Sequence, residues 1–281
     1  MCYDKGMISH RHLFHIATAS AIALTLAVPA IAQEGPGHTP AGGASPQAAS
    51  PQGPGPVAPN RPGFTNGSAT VAPGDALAEN GIALSRALAS QGGQDTLDFP
   101  ETNLRLGVTP SVEADIGLPD YFNIHGGDKG FGDGSLGVKY KFYQSGNGNT
   151  KASVAPSLSL PTHTLFSSGH VDPTLLLGIQ TASGKRWSLA SNLVLSNPTQ
   201  SGRRIFTSAV SGSVAYTLTP ALSAYVDAYD IVPREGPPAS AADGGFTYLV
   251  NDNLQLDAEM YVGLGGTAPV RVLAAGISFR L

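Results

Sequence analysis

The stretch LRLGVTPSVEADIGL, residues 104–118, alternates apolar and polar side chains on both sides of a Val-Thr-Pro-Ser link. Side chains of a strand point to opposite faces in turn, so Leu104, Leu106 and Val108 share one face and Asn103, Arg105 and Gly107 the other. After the link, Val112, Ala114, Ile116 and Leu118 are apolar, whereas Glu113, Asp115 and Gly117 are not. A hairpin with Val108 opposite Val112 sets Arg105 against Asp115 and Leu106 against Ala114, which keeps both faces consistent. The same division recurs over 243–264, with Val250 facing Leu254 across Asn251-Asp252-Asn253. There Phe246, Tyr248, Val250, Leu254, Leu256, Ala258, Met260 and Val262 fall on the apolar face, and Thr247, Gln255, Asp257, Glu259 and Tyr261 on the other. Along the chain the pattern predicts strands near 76–88, 97–109, 111–119, 132–144, 150–161, 171–181, 186–196, 204–217, 221–231, 243–250, 254–264 and 270–281. Most exceed the globular mean of about five or six residues and approach the roughly nine to eleven that cross a bilayer when tilted.

The links alternate in length. Tight turns at Thr109-Pro110, Ser183-Gly184, Thr219-Pro220 and Asn251-Asp252-Asn253 alternate with longer loops near 120–131, 162–170, 197–203 and 232–242. Short turns at one end and long loops at the other mark a transmembrane β-barrel. A sheet in hydrocarbon leaves edge groups unpaired at several kcal/mol each, so spanning strands must close. The fold class predicted is therefore all-β, an antiparallel transmembrane barrel of about twelve strands over residues 61–281. Tyr140, Phe142, Trp187, Tyr216, Tyr248 and Phe279 fall on apolar faces toward the short-turn ends, as an interfacial aromatic girdle requires.

Composition agrees with this reading. The 281 residues are 41% hydrophobic and only 13% charged, against about 25% charged in ordinary soluble domains. The formal net charge of −4 comes without a lysine and arginine cluster, which argues against a nucleic-acid partner. Residues 1–32, with Lys5 and Arg11 ahead of an apolar run ending in Ala30-Ile31-Ala32, predict a secretory signal cleaved before Gln33. Cys2 is the only cysteine, so the mature chain has no thiolate or disulfide chemistry. Residues 33–60 are rich in Pro, Gly and Ala and hold almost no apolar bulk, which predicts a disordered periplasmic spacer.

Several stretches resemble one family, the putative MetA-pathway of phenol degradation, whose members are transporter-like outer-membrane barrels. Arg61-Pro62-Gly63-Phe64-Thr65 is similar to its opening motif, followed by Val71-Ala72-Pro73-Gly74. Residues 104–118 are similar to its second hairpin, and Gly132-Asp133-Gly134-Ser135-Leu136-Gly137-Val138-Lys139-Tyr140 to the glycine-aspartate start of a later strand. The C-terminus departs from the pattern, with Leu281 where such barrels carry an aromatic residue and Phe279 one step inward on the same face. The resemblance implies a barrel in a Gram-negative outer membrane that handles hydrophobic or aromatic compounds, and no catalytic residues. Outer-membrane lipid is then one partner, and the barrel-assembly machinery, acting through the C-terminal strand, another.

The polar face collects Glu79, Arg105, Glu113, Asp115, Lys139, Lys141, Tyr225, Asp227, Tyr229, Asp257, Glu259 and Tyr261. Such residues either line a solute path, with charges of both signs and tyrosines to stack or hydrogen-bond, or pack as mutually paired interior groups. His125, His163 and His170 sit in predicted loops without helical metal-ligand spacing, so neither a metal nor a cofactor is expected. A lipid hydrolase would need a serine within reach of a histidine, for which Ser167 and Ser168 beside His163 and His170 are the nearest candidates, with no G-x-S-x-G context. The function expected is passive passage of small, hydrophobic or aromatic solutes, with a plugged structural barrel as the alternative. Whether residues 61–75 enter the lumen is a question the periodicity leaves open.

Overall fold

The computed structural model describes residues 55–281. The strand Ala76–Arg86 (β1) pairs along one side with Asp95–Thr109 (β2) and along the other with the last strand of the chain, Arg271–Arg280, so the sheet closes on itself. Between β2 and that last strand run β3 (Val112–Gly117), β4 (Gly134–Gln144), β5 (Thr150–Leu160), β6 (Pro173–Ser183), β7 (Trp187–Ser196), β8 (Thr207–Thr217), β9 (Leu222–Pro233), β10 (Ala239–Asn251) and β11 (Leu254–Gly266), with Arg271–Arg280 as β12. Each pairs antiparallel with its neighbour in sequence. The result is a closed twelve-stranded barrel, matching the predicted strands one for one. A small hairpin, Tyr121–Ile124 with Lys129–Phe131, extends the sheet beside the first part of β2.

Burial is inverted relative to a soluble protein. The outer wall carries Leu106, Val138, Leu177, Ile179, Val226, Phe246, Met260 and Leu264, the last 65% exposed, while Glu113 and Ser211 inside are fully enclosed. Exposed apolar side chains in this number belong against acyl chains, and the polar interior needs no hydrophobic core. Tyr140, Phe142, Trp187 and Tyr248 all stand on the outer wall near the short turns, and Tyr216 packs on Trp187 at 4.6 Å between ring centroids.

The two hairpins chosen from the sequence keep their register except at the tips. Arg105 lies opposite Asp115 and Leu106 opposite Ala114 as expected, but Thr109, not Val108, faces Val112. Likewise Tyr248 faces Leu256, and Asn251 takes the place expected for Val250 opposite Leu254. In both cases a bulge absorbs one residue just before a two-residue turn and adds the twist that a tight connection between spanning strands requires. A further irregularity in β2 has larger consequences. The Gly81 to Glu101 pair is followed by Ala83 to Asp98, so Phe99 and Pro100 occupy the space of one residue. Across it the inward parity switches, placing Thr96 and Asp98 inside with Arg105.

Candidate functional site

The site begins with a segment that has no regular structure. Val57 donates its N–H to the Asp252 carbonyl in the turn between β10 and β11, at the short-turn end. The chain climbs from there to the middle of the barrel and returns, and Gly74 and Gly107 hydrogen-bond beside the start of β1 at that same end. Residues 57–75 are thus a re-entrant loop that enters and leaves by one mouth. The expected signal peptide lies outside the described residues, as does the expected spacer up to residue 54; residues 55–60 are described and touch the barrel.

The loop is held by polar contacts from almost every side. Its residues 58–71 bond to Glu79, Arg105, Glu113, Lys139, Gln180, Asn192, Ser211, Asp227, Glu259 and the Ala275 carbonyl, which belong to ten of the twelve strands. A loop without a ladder of its own has free backbone N–H and C=O groups, and these find charged or amide side chains on the wall. At the tip, Asp227 accepts from the N–H groups of Phe64 and Thr65 at 3.0 and 2.8 Å and from the Thr65 hydroxyl at 2.9 Å. Glu259 accepts from the Gly63 N–H at 2.6 Å and the Tyr225 hydroxyl at 2.7 Å. Gly63 has φ +87°, and a Cβ there would also lie 3.1 Å from Asp227, so glycine is required at this bend. Phe64 packs edge-on between Tyr229 and Tyr261, with centroids 4.0 and 4.4 Å away.

Two cationic knots fix the loop to the wall. Arg105, 1% exposed, spans Glu79 and Glu113 and donates to the carbonyls of Ala58 and Ala69, tying both arms of the loop with one guanidinium. Lys139 reaches Glu113 at 2.9 Å and Asn60 at 3.4 Å. Asp115 stands 3.7 Å from Arg105. The second knot is Arg61, which meets Glu101 at 2.7 Å and lies 3.5 Å from Asp257 and 3.8 Å from Glu259. Three carboxylates thus surround a single guanidinium that reaches across β1 and β12.

Beyond the tip the interior changes character. Leu176, Val194, Ala209, Ile231, Ala239 and Ala241 are buried on the inner face in the strand halves next to the long loops, with Phe64 against them. Toward the long loops the lumen therefore has an apolar patch on β6–β10, facing Thr96 and Asp98 of β2 across the barrel, and toward the short turns a charged half filled by the loop.

Of the residues singled out from the sequence, Glu79, Arg105, Glu113, Lys139, Asp227, Tyr229, Asp257 and Glu259 are buried inside, with Asp115, Tyr225 and Tyr261 beside them and partly accessible. Lys141 lies apart, half-buried near the 145–149 turn, with no ion pair among the described residues. Glu101, Gln180, Asn192, Ser211 and Asp243 join the interior without having been singled out. Glu101 sits next to the β2 irregularity, Asp243 stands at the first position of the predicted 243–250 strand, and Gln180, Asn192 and Ser211 lie on strands whose inner faces carry small and amide side chains.

His125, His163 and His170 lie in connections, and no group of three or more His, Cys, Asp or Glu that could hold a metal occurs among the described residues. Ser168 donates its hydroxyl to the His170 carbonyl, not to an imidazole. Asp133 instead clamps the 161–172 loop, accepting from the N–H groups of Thr162 and Ser168. Burial alone would raise its pKa, yet the hydrogen bonds from Ser167, Ser168 and Thr162 bring it below the ordinary carboxylate value.

Asp120, in the link after β3, is pushed up to about 7, first by burial and then by the Glu101 carboxylate, with the Thr102 N–H and Arg61 opposing. A folded-state pKa above the ordinary 3.8 means that the native chain binds this proton more tightly. The stability it contributes is present at low pH and is lost as pH rises from about 4 through about 7. Thermal unfolding in detergent at pH 5.5 and pH 8 should therefore differ less in Asp120→Asn than in the parent. An unchanged difference would mean that this carboxylate titrates where an exposed one does.

A search of curated protein sequences finds no significant match. Among solved structures, the chain is similar to an outer membrane channel from Pseudomonas putida F1, at TM-score 0.59 and 11% identity over 76% of this chain and 98% of that one. It is similar also to the NanC porin, at TM-score 0.54 and 10% identity over 73% of this chain and all of that one. At such identities these likenesses establish the barrel fold. The family model described as "Putative MetA-pathway of phenol degradation" matches residues 59–281, from just ahead of the Arg61-Pro62-Gly63-Phe64-Thr65 tip to the last strand. The chain therefore belongs to the family of the putative MetA-pathway of phenol degradation.

Proposed function

We propose that this protein is an outer-membrane channel for the passive passage of small solutes, aromatic compounds among them, and that residues 57–75 close it at rest from the periplasmic side. The observation that carries the reading is that the barrel wall does not fill its own interior. A polar re-entrant loop occupies the space, and a wall that can hold a peptide strand leaves a path of similar width when the loop withdraws. When the loop withdraws, water can replace the hydrogen bonds and ion pairs it made with the wall, so the wall it leaves is already suited to an aqueous path. The apolar patch of Leu176, Val194 and Ile231, above the Phe64, Tyr229 and Tyr261 rings, favours aromatic over sugar-like solutes at the outer mouth. The family's description points to the same solute class. On this reading the N-terminal signal is cleaved on export and the barrel-assembly machinery inserts the folded strands.

Swelling of liposomes containing the protein tests this. A small phenyl glycoside should enter several-fold faster than a disaccharide of like size, and Asp227→Ala, which frees the loop tip, should raise both rates. If neither solute enters through either protein, the barrel is a structural one.

A further inference from the structure

Four residues lie in one transverse row across four neighbouring strands. Glu101 of β2 faces Gly81 of β1, Gly81 faces Gly276 of β12, and Gly276 faces Asp257 of β11. The row is a slot with a bare backbone floor two residues wide and a carboxylate at each end. The Arg61 guanidinium lies on that floor. A Cβ on Gly81 would collide with Arg61 Nη1 and Cζ and with Glu101 Oε2, and one on Gly276 would collide with Arg61 Nε and come within 2.7 Å of Asp257 Oδ1. Neither glycine has positive φ, so the missing side chains make room for a flat cation and are not needed by the backbone.

Arg61 fills the slot incompletely. Nη1 is 2.7 Å from Glu101 Oε2, and Nη2 donates to the Ala275 carbonyl at 3.3 Å. Asp257, with a side chain closed off from solvent, meets Nη2 only at a long 3.5 Å, and among the described residues neither of its oxygens accepts a hydrogen bond of ordinary length, while Arg61 Nε finds no acceptor there. A buried carboxylate left without a hydrogen bond is costly. The tether through the Arg61 side chain prevents the planar fork from reaching both ends at once, whereas a small free guanidinium has no such restraint.

We propose that the row Glu101, Gly81, Gly276 and Asp257 is a binding site for small guanidinium compounds, and that Arg61 is its tethered resident. In this role Arg61 is also a latch, because a solute that takes the slot competes with the loop. The inference rests on the barrel and its internal loop, and not on solute passage.

Methylguanidinium at non-denaturing millimolar concentration is the probe, with tetramethylammonium, equally charged but without planar donors, as control. In detergent, methylguanidinium at ten times its Kd should raise the melting temperature of Arg61→Ala by about 3 to 6 °C and leave the parent unmoved. The shift should vanish in Arg61→Ala/Gly276→Ala. Arg61→Gln, which keeps the stem length, serves the same comparison should the alanine variant not fold. In planar bilayers methylguanidinium should also reduce the sodium current through Arg61→Ala. Equal shifts for parent and variant, an equal shift with tetramethylammonium, or no shift would overturn the site. If the shift appears but no variant carries current, the slot stands and the channel reading falls.

Discussion

Replacing Arg105 by alanine should destabilise the folded barrel by about 3 to 5 kcal/mol, the cost of leaving buried charges without their partner. This guanidinium is 1% exposed and uses its whole fork: Nε and Nη2 donate to Glu113 at 2.9 to 3.0 Å, Nη1 to Glu79 at 2.9 Å and to the Ala58 carbonyl at 2.9 Å, and Nη2 to the Ala69 carbonyl at 3.3 Å. Without it, Glu79 and Glu113, both nearly inaccessible, retain only Lys139 as a cation within ion-pair distance among the described residues, and of the two carboxylates that side chain contacts just Glu113. Both arms of the re-entrant loop also lose their common donor. Lysine at this position should recover only part of the loss, because a point charge cannot bridge two carboxylates and two carbonyls lying in different directions. Arg105→Ala/Glu79→Gln should be less damaging than the sum of its single changes, since the second removes one of the charges the first strands. Urea unfolding in detergent, followed through the single tryptophan, Trp187, measures all three. A loss under about 1 kcal/mol would show that water reaches these groups and screens them as at a surface.

Arg105 also marks how far the sequence alone reaches. Its pairing with Asp115 follows from the alternation of 104–118, because a one-residue slip would have turned Leu104, Leu106, Ala114 and Ile116 to the polar face. The twelve strands are legible for the same reason, each being long and two-faced. What the alternation cannot carry across is a bulge. Phe99-Pro100 exchanges the faces of β2, so that Asp98 and Glu101 both end inside although one is at an even and the other at an odd position. The path of residues 57–75 is hidden more deeply. Proline and glycine give it no period, and its partners lie up to 214 residues away, as for Arg61 and Ala275. One signal was present in the strands themselves. Asp227, Glu259 and Asp257 face inward with no cation at a cross-strand position, and inward carboxylates in that number need donors from outside the wall.

Asp227 supplies the most direct handle on that loop, and Asp227→Ala should turn a closed barrel into one that opens frequently. Three hydrogen bonds converge on this carboxylate at the loop tip, from Phe64 N–H, Thr65 N–H and the Thr65 hydroxyl. Bonds to a charged group are worth about 1.5 to 3 kcal/mol each, so losing all three moves the balance between seated and withdrawn loop by roughly a thousandfold even at the lower figure. The alanine offers no acceptor, which leaves two backbone donors unsatisfied whenever the loop is seated. Asparagine keeps one neutral acceptor and should give an intermediate frequency. The ends of the loop remain fastened by Val57 to Asp252 and by Gly74 to Gly107, so withdrawal is reversible and should appear in planar bilayers as brief openings and not as a permanent pore. Their unit conductance should equal that of a chain lacking residues 57–72, because in both cases the bare wall sets the width. Openings of smaller size than in the truncated chain would mean that only the tip moves while the arms held by Arg105 stay in place. No change in opening frequency would mean that Asp227 braces the wall and the loop is a fixed filling.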